Sequence, residues 1–336
     1  MSGIHEGREF YTTGVWAAAA AKGAVLALLG ESPSVVEVEL PVGRRVVLPI
    51  KAFERGLDRG WAQVVKAGGE AHDVTNGILI EATATFSKKG VIVQGGRGVG
   101  VVTKRGLKVP LGEPAINPVP RITILKAVGE ALAENPTELG VEVVIEVPEG
   151  ERLALHTVNP RIGIVGGISI LGTRGTVVPY STRSFLESIK VELQVARAQG
   201  LPEVVLSPGR ASRERAIEVL PHLPEFAFVE IGDFVGFAAV QAGRLGFSLL
   251  HLVAQPGKMA KVAMGFKNTH ARKHPMDMRR LAELLERPEV ETMNTAREAY
   301  LATGGKGWEK VVRLAAEHLS EWAGGVRVLA HLLPPE

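Results

Sequence analysis

The chain of 336 residues reads as two halves. Residues 1–155 carry the marks of an α+β domain with a mixed or antiparallel sheet. Residues 156–336 carry those of an α/β, Rossmann-like domain, a parallel sheet with helices on both faces followed by C-terminal helices. Three observations point to this division. Before residue 155, β-branched residues alternate with polar ones in short runs around two helical stretches, the pattern of half-buried strands. From Arg161 onward the order becomes short apolar run, loop, helix, repeated, which is the rhythm of right-handed βαβ units. At the changeover stands GIVGGISILGTRG, Gly163–Gly175, with five glycines in thirteen residues. Such a stretch bares main-chain amides to an anion or nucleotide. A tight structural crossover is the competing reading.

In the first half, Thr12 and Thr13 stand where they can cap an alanine-rich helix over Ala17–Leu29. Strands are expected at Val35–Leu40, Arg45–Pro49, Ile78–Phe86 and Val91–Gln94. A second helix, Asn117–Asn135, has prolines at its mouth, where a missing N–H costs little, and a strand follows at Val141–Val147. In the second half, strands are expected at Arg161–Val165, Glu203–Leu206, Ala227–Ile231 and Leu249–Val253. Helices are expected near Thr182–Ala198, Arg213–Leu220, Gly236–Leu245 and Pro256–Met264. Amphipathic helices at Met278–Glu286, Asn294–Ala302 and Trp308–Trp322 precede the strand-like VRVLAHLL. Ligands of parallel sheets bind beyond the carboxyl ends of the strands. That rule collects the glycine run together with Ser207–Arg210, Gly232–Phe234 and Gln255–Lys258.

Composition narrows the function. An apolar share of 46% with 22% charged residues is that of a globular protein. A net charge of +3, from 39 basic and 36 acidic side chains, argues against an obligate nucleic-acid binder. With no cysteine there is no disulfide, thiolate metal site or cysteine nucleophile. The N-terminus lacks the apolar core of a signal peptide, and the alanine-rich run is interrupted by Lys22 before it can span a bilayer. The expectation is a cytoplasmic protein with no membrane partner.

Motifs exclude more than they assign. The glycine run is neither GxGxxG nor followed by GKS or GKT, and no GxSxG or HExxH occurs. No metal is expected. Pro256–Arg280 places Lys258, Lys261, Lys267, Arg272, Lys273, Arg279 and Arg280 against the single acid Asp277, a local charge of +6 that suits a polyanionic ligand or a solvated helix face. Within it, His270 reads as a general base, a carboxylate donor or a structural histidine. Asp73, next to His72, reads as an acid/base group or as the start of a turn with Thr75 and Asn76. Arg97, Lys104 and Arg105 in GGRGVGVVTKRGL read as anion contacts or as the tips of a glycine-rich hairpin.

Taken together, TTGVWAAAAAKGA, DVTNG, GGRGVGVVTKRGL, GEPAINPVPR, NPRIGIVGGISILGTRGTVVPYS and PGKMAKVAMGFKNTH resemble the cobalt-precorrin-5B C1-methyltransferase family of the anaerobic cobalamin pathway, in the family's order across nearly the whole chain. The resemblance implies methyl transfer from S-adenosylmethionine to ring carbon C-1 of a contracted cobalt corrinoid. Given that donor, the bare main chain of the glycine run is where it is expected to lie, over Gly166, Gly167, Gly172 and Gly175, with Asp233 or Glu230 near its ribose or adenine. For the base that such a reaction can use, His270 and Asp73 are the candidates the residue chemistry offers. The corrinoid, the expected partner, carries many carboxylates, and on charge alone Arg97, Lys104, Arg121, Lys258, Lys261 and Arg272 are the donors that match them; self-association into a homo-oligomer stays open. Departures from the family pattern are Trp16 for a cysteine, Ala67 and Ala71 for acids, Asp233 for an asparagine and Gln255 for a histidine. The lost cysteine and acids keep a corrinoid carrier without catalysis in view, and the glycine-rich turns and α+β rhythm of the first half keep a small-molecule kinase.

Overall fold

The computed structural model describes residues 9–68, 73–177 and 182–335; Ala71 and His72 lie outside the described residues. The chain divides into two compact units, Met1–Ser181 and Thr182–Glu336. It is a mixed α/β protein with several sheets, one of them parallel and four-stranded near the C-terminus.

The first unit runs β1 (Phe10–Tyr11), α1 (Thr13–Leu28), β2 (Val35–Glu39), β3 (Arg45–Pro49), β4 (Ala52–Arg55), β5 (Arg59–Val65), β6 (Leu79–Ser87), β7 (Ile92–Gly95), β8 (Gly98–Val99) and β9 (Val101–Val102). There follow α2 (Pro118–Glu134), β10 (Gly140–Glu146), α3 (Gly150–Ala154), α4 (Asn159–Ile162), β11 (Ile164–Val165), β12 (Gly167–Ile168) and β13 (Thr176–Val177). Its main sheet has the order β4-β5-β6-β10-β7, antiparallel except for the parallel β10–β7 pair.

Fifteen of the sixteen residues of α1 are buried, so this helix is a core element and not a surface one. Small side chains make that possible. A Cβ at Gly60 of β5 would lie 2.2 Å from the Ala24 carbonyl oxygen, so glycine there lets the helix main chain rest on the strand. Lys22, buried in α1, donates to Glu130 of α2 at 2.9 Å and to the Glu37 carbonyl at 3.2 Å, which satisfies its charge.

The second unit runs α5 (Thr182–Ala198), β14 (Glu203–Ser207), α6 (Arg210–Val219), β15 (Phe228–Glu230), α7 (Val235–Arg244), β16 (Leu249–Ala254), α8 (Pro256–Ala263), α9 (Met278–Leu285), α10 (Ala296–Thr303), α11 (Trp308–Trp322) and β17 (Arg327–Leu332). Its sheet has the order β15-β14-β16-β17, and every pair is parallel. Alternate residues face opposite sides of a strand. Val204, Leu206, Leu250 and Leu252 pack with α5, α7, α8 and α11, whereas Val205, Phe228 and Val253 pack with Ala216 and Leu220 at α6. Both faces of the sheet are therefore covered.

Two expectations need correction. Arg161–Val165 is not the opening strand of the parallel sheet. Pro160 stands in the first turn of the short helix α4, Gly163 ends it in the left-handed region at φ 76°, and Ile164–Val165 then pairs antiparallel with β9 in the first unit. The parallel sheet begins instead at β14 and takes its fourth strand from the C-terminal VRVLAHLL segment. The second difference is an omission: β4 and β5 carry Ala52, Gly60 and Ala62, small residues that weaken an apolar alternation.

Candidate active site

In the second unit, strand order fixes where a ligand has room. The chain passes from β14 to β15 on one side, then returns to lay β16 on the other side of β14. Crossovers diverging in this way open a crevice at the carboxyl ends of the two strands that flank the switch. The turns there hold Ser207–Arg210, Gly232–Phe234 and Gln255–Lys258, as the sequence leads one to expect.

Asp233, in the turn after β15, is the centre of a polar cluster. Its Oδ1 ion-pairs with Lys258 Nζ and accepts from Thr269 Oγ1 at 2.9 Å. Its carbonyl accepts the Thr269 N–H at 3.0 Å. The Thr269 carbonyl in turn accepts from Lys261 Nζ at 3.1 Å and from Lys258 Nζ at 3.4 Å. Burial raises the Asp233 pKa, but the hydrogen bonds from Lys258 and Thr269 and the lysine charge outweigh it, so the carboxyl sits below its usual range. Lys261 is pushed down by burial and by the neighbouring Lys258 charge, against the pull of Asp233. The loop is thus held from three sides, and Thr269, fully buried, is its pin. His270 follows directly. Its N–H donates to Asn268 Oδ1 at 3.0 Å, and its Nδ1 accepts the Arg272 N–H at 3.2 Å, which assigns the neutral ring proton to Nε2. Arg272 is exposed.

The other candidates lie in the first unit, where several have local work. Asp73 Oδ1 accepts from the Thr75 N–H at 2.8 Å and from Thr75 Oγ1 at 2.6 Å, and Oδ2 accepts from Lys66 Nζ at 2.9 Å. Burial lifts its pKa and these donors more than reverse that, leaving it lowered. Lys66 is only 1% exposed, and Asp73 is its counter-ion. The turn reading of Asp73 accounts for the two Thr75 bonds, whereas the Lys66 ion pair is additional, and the sequence offered no sign of that buried lysine. Arg121 donates to the Val93 carbonyl at 2.9 Å, tying α2 to β7. The Lys104 side chain lies where a Cβ on Gly163 would be, at 2.4 Å from its Cγ. Arg97 is exposed, with its N–H directed to Glu146 Oε1 at 3.3 Å.

Most of the glycine run is packed against the protein itself. A Cβ on Gly167 would meet the Gly98 carbonyl oxygen at 2.2 Å, one on Gly172 would meet Thr12 Oγ1 at 2.1 Å, and one on Gly175 would meet Pro41 at 2.8 Å. Its main chain is also engaged: β12 pairs with β8, and Thr13 Oγ1 accepts the Leu171 N–H at 2.9 Å. Thr12, for its part, makes no side-chain capping bond at the start of α1. Gly166 alone of the four faces open space. The crossover reading therefore explains three of the four glycines without a ligand.

Among the described residues no group of three or more His, Asp or Glu side chains is placed to share a metal ion. Nor is any helix of those residues long and apolar enough to cross a membrane.

Comparison with known proteins adds a family. Residues 3–179 match the model of the CbiD family. A cobalt-precorrin-5B C(1)-methyltransferase of Geobacillus thermodenitrificans is 49% identical over 83% of this chain and 76% of its own. Relatives of the same name from Thermus thermophilus, at 44% identity, and from Geobacillus sp. WCH70, at 42%, cover 94% and 96% of this chain and 87% and 92% of their own. A crystal structure of a cobalamin biosynthesis protein, cbiD, from Archaeoglobus fulgidus is 30% identical, covering 79% of this chain and 84% of that one, with a TM-score of 0.44.

Proposed function

The chain belongs to the CbiD family, and from that membership we propose that it is a C-methyltransferase of cobalamin biosynthesis, methylating carbon C-1 of cobalt-precorrin-5B to give cobalt-precorrin-6A. The observation that carries the reading is 42–49% identity, over most of the chain, to relatives bearing that name. S-adenosylmethionine is the donor we assign: it supplies a methyl group on a sulfonium sulfur, and the carbon–sulfur bond breaks with its electron pair remaining on sulfur.

Transfer to an electron-rich ring carbon asks little covalent help of the protein, so the residues serve to bind, orient and exclude water. Lys258 and the exposed Arg272 offer cations to the carboxylates of the macrocycle. Lys261, buried against the Thr269 carbonyl, is a positioning residue and not a substrate contact. With Asp233 it fixes the loop from which His270 is presented, and His270 is the group we assign to accept a proton should the ring lose one. Incubation with methyl-labelled S-adenosylmethionine and cobalt-precorrin-5B is expected to place label in the macrocycle. Macrocycle retained by the protein but unlabelled would overturn the reading.

A further inference from the structure

Ser207 is the last residue of β14 and is 0% exposed, yet its Oγ has no hydrogen-bond partner among the described residues. A buried hydroxyl without a partner costs free energy, so a native structure that keeps one calls for a reason. Its place supplies the reason. Ser207 stands at the β14/β16 switch and, two residues from Val205, shares that residue's face, the one covered by α6. The next turn is Pro208–Gly209, and the ten-residue helix α6 starts at Arg210 with no side-chain cap on its first amides. Gly209 has φ 150° and ψ 166°, a conformation open essentially to glycine alone, and a Cβ built on it would meet nothing within 4 Å. An uncapped helix start and an unpaired hydroxyl beneath it together make a receptor for a carboxylate: the amides bring the positive end of the helix and the hydroxyl brings a further donor. Across from it, Glu230 is the register partner of Ser207 at the end of β15.

We infer that this crevice, and not the glycine run of the first unit, receives the methyl donor, with the donor's amino-acid carboxylate on the first turn of α6 and on Ser207 Oγ. The inference rests on the S-adenosylmethionine dependence proposed above. Because Ser207 is 0% exposed, uptake requires neighbouring main chain to move aside, and Gly209, with open space where a Cβ would be, is placed to allow it.

The test is calorimetry on the full-length protein with two probes, S-adenosylhomocysteine, which has the amino-acid carboxylate, and 5′-methylthioadenosine, which lacks it. A hydrogen bond to a charged group is worth about 1.5–3 kcal/mol, so Ser207→Ala is expected to weaken S-adenosylhomocysteine roughly ten- to hundredfold while leaving 5′-methylthioadenosine unchanged. The ligand-free variant is expected to melt no lower than the parent, because no bond within the protein is lost. Gly166→Ala is expected to bind both probes as the parent does. Unchanged S-adenosylhomocysteine affinity in Ser207→Ala, equal weakening of both probes, or a lowered melting temperature of the free variant would each overturn the inference while leaving the methyltransferase reading intact. Failure of the parent protein to bind S-adenosylhomocysteine would overturn both.

Discussion

Adjacent glycines in this chain are glycines for different reasons. Gly167 is held against the Gly98 carbonyl, whereas Gly166 is exposed and turns at φ 79° with nothing near its missing side chain. Alanine at 167 introduces overpacking of about 1–3 kcal/mol or more. Alanine at 166 costs only the left-handed backbone, roughly 1–2 kcal/mol. Gly167→Ala is therefore expected to lower the melting temperature by clearly more than Gly166→Ala in parallel thermal scans; the reverse order would mean that the run is not shaped by its own packing. Residue type at these positions was plain in the sequence, but its cause was not, because Gly98 and Gly167 meet only after the fold has brought them together. Asp73 shows the same limit. Its turn with Thr75 is local and was legible, while its pairing with Lys66 depends on a lysine buried by tertiary structure. The loop that carries His270 is mixed in this respect: its bonds to Asn268 and Arg272 are local, while its pin through Thr269 to Asp233 joins residues 36 positions apart.

Strands and helices were easiest to read where their apolar faces carry large side chains. Glu203–Leu206, Leu249–Val253 and Trp308–Trp322 agree closely with β14, β16 and α11. The buried face of β5, by contrast, is Gly60, Ala62 and Val64, sized to admit α1, and that compact face hides the strand. The parallel sheet also contains a polar line across three strands: His251 of β16 meets Glu203 of β14 at 2.8 Å and His331 of β17 at 3.0 Å. Burial, and then the charge of His251, lowers the pKa of His331. Its folded form thus binds a proton less readily than the unfolded chain. The stability it contributes is present above the unfolded value of about 6.5 and declines as pH falls through that value toward the folded one. Denaturant midpoints measured between pH 7.5 and 5 should fall for the parent protein and fall less for His331→Gln; equal slopes would remove His331 from the effect.

Each of the two units closes its own apolar core, around α1 in one and around the parallel sheet in the other. Residues 182–336 expressed alone are accordingly expected to give circular dichroism of a mixed α/β protein and one cooperative melting transition. A featureless spectrum would show that the second unit cannot fold without the first. A parallel sheet toward the C-terminus was legible in the sequence; the expected division was at 155, and the compact units of the structure part after Ser181. The glycine run after α4 looks like a βα turn in isolation, and only its pairing with strands far upstream assigns it to the first unit.

That pairing also sets an order of events during synthesis. Thr12 donates its N–H to the Gly175 carbonyl and Gly14 donates to Leu171, so the entrance of α1 is fastened by residues that leave the ribosome about 160 positions later. Contacts so distant along the chain form slowly, because a long loop must close before they bring any gain. A nascent chain stopped short of Leu171 carries an alanine-rich helix whose mouth is still unfastened, while every strand pair of the second unit joins residues less than 80 positions apart. The half made first is the one that waits.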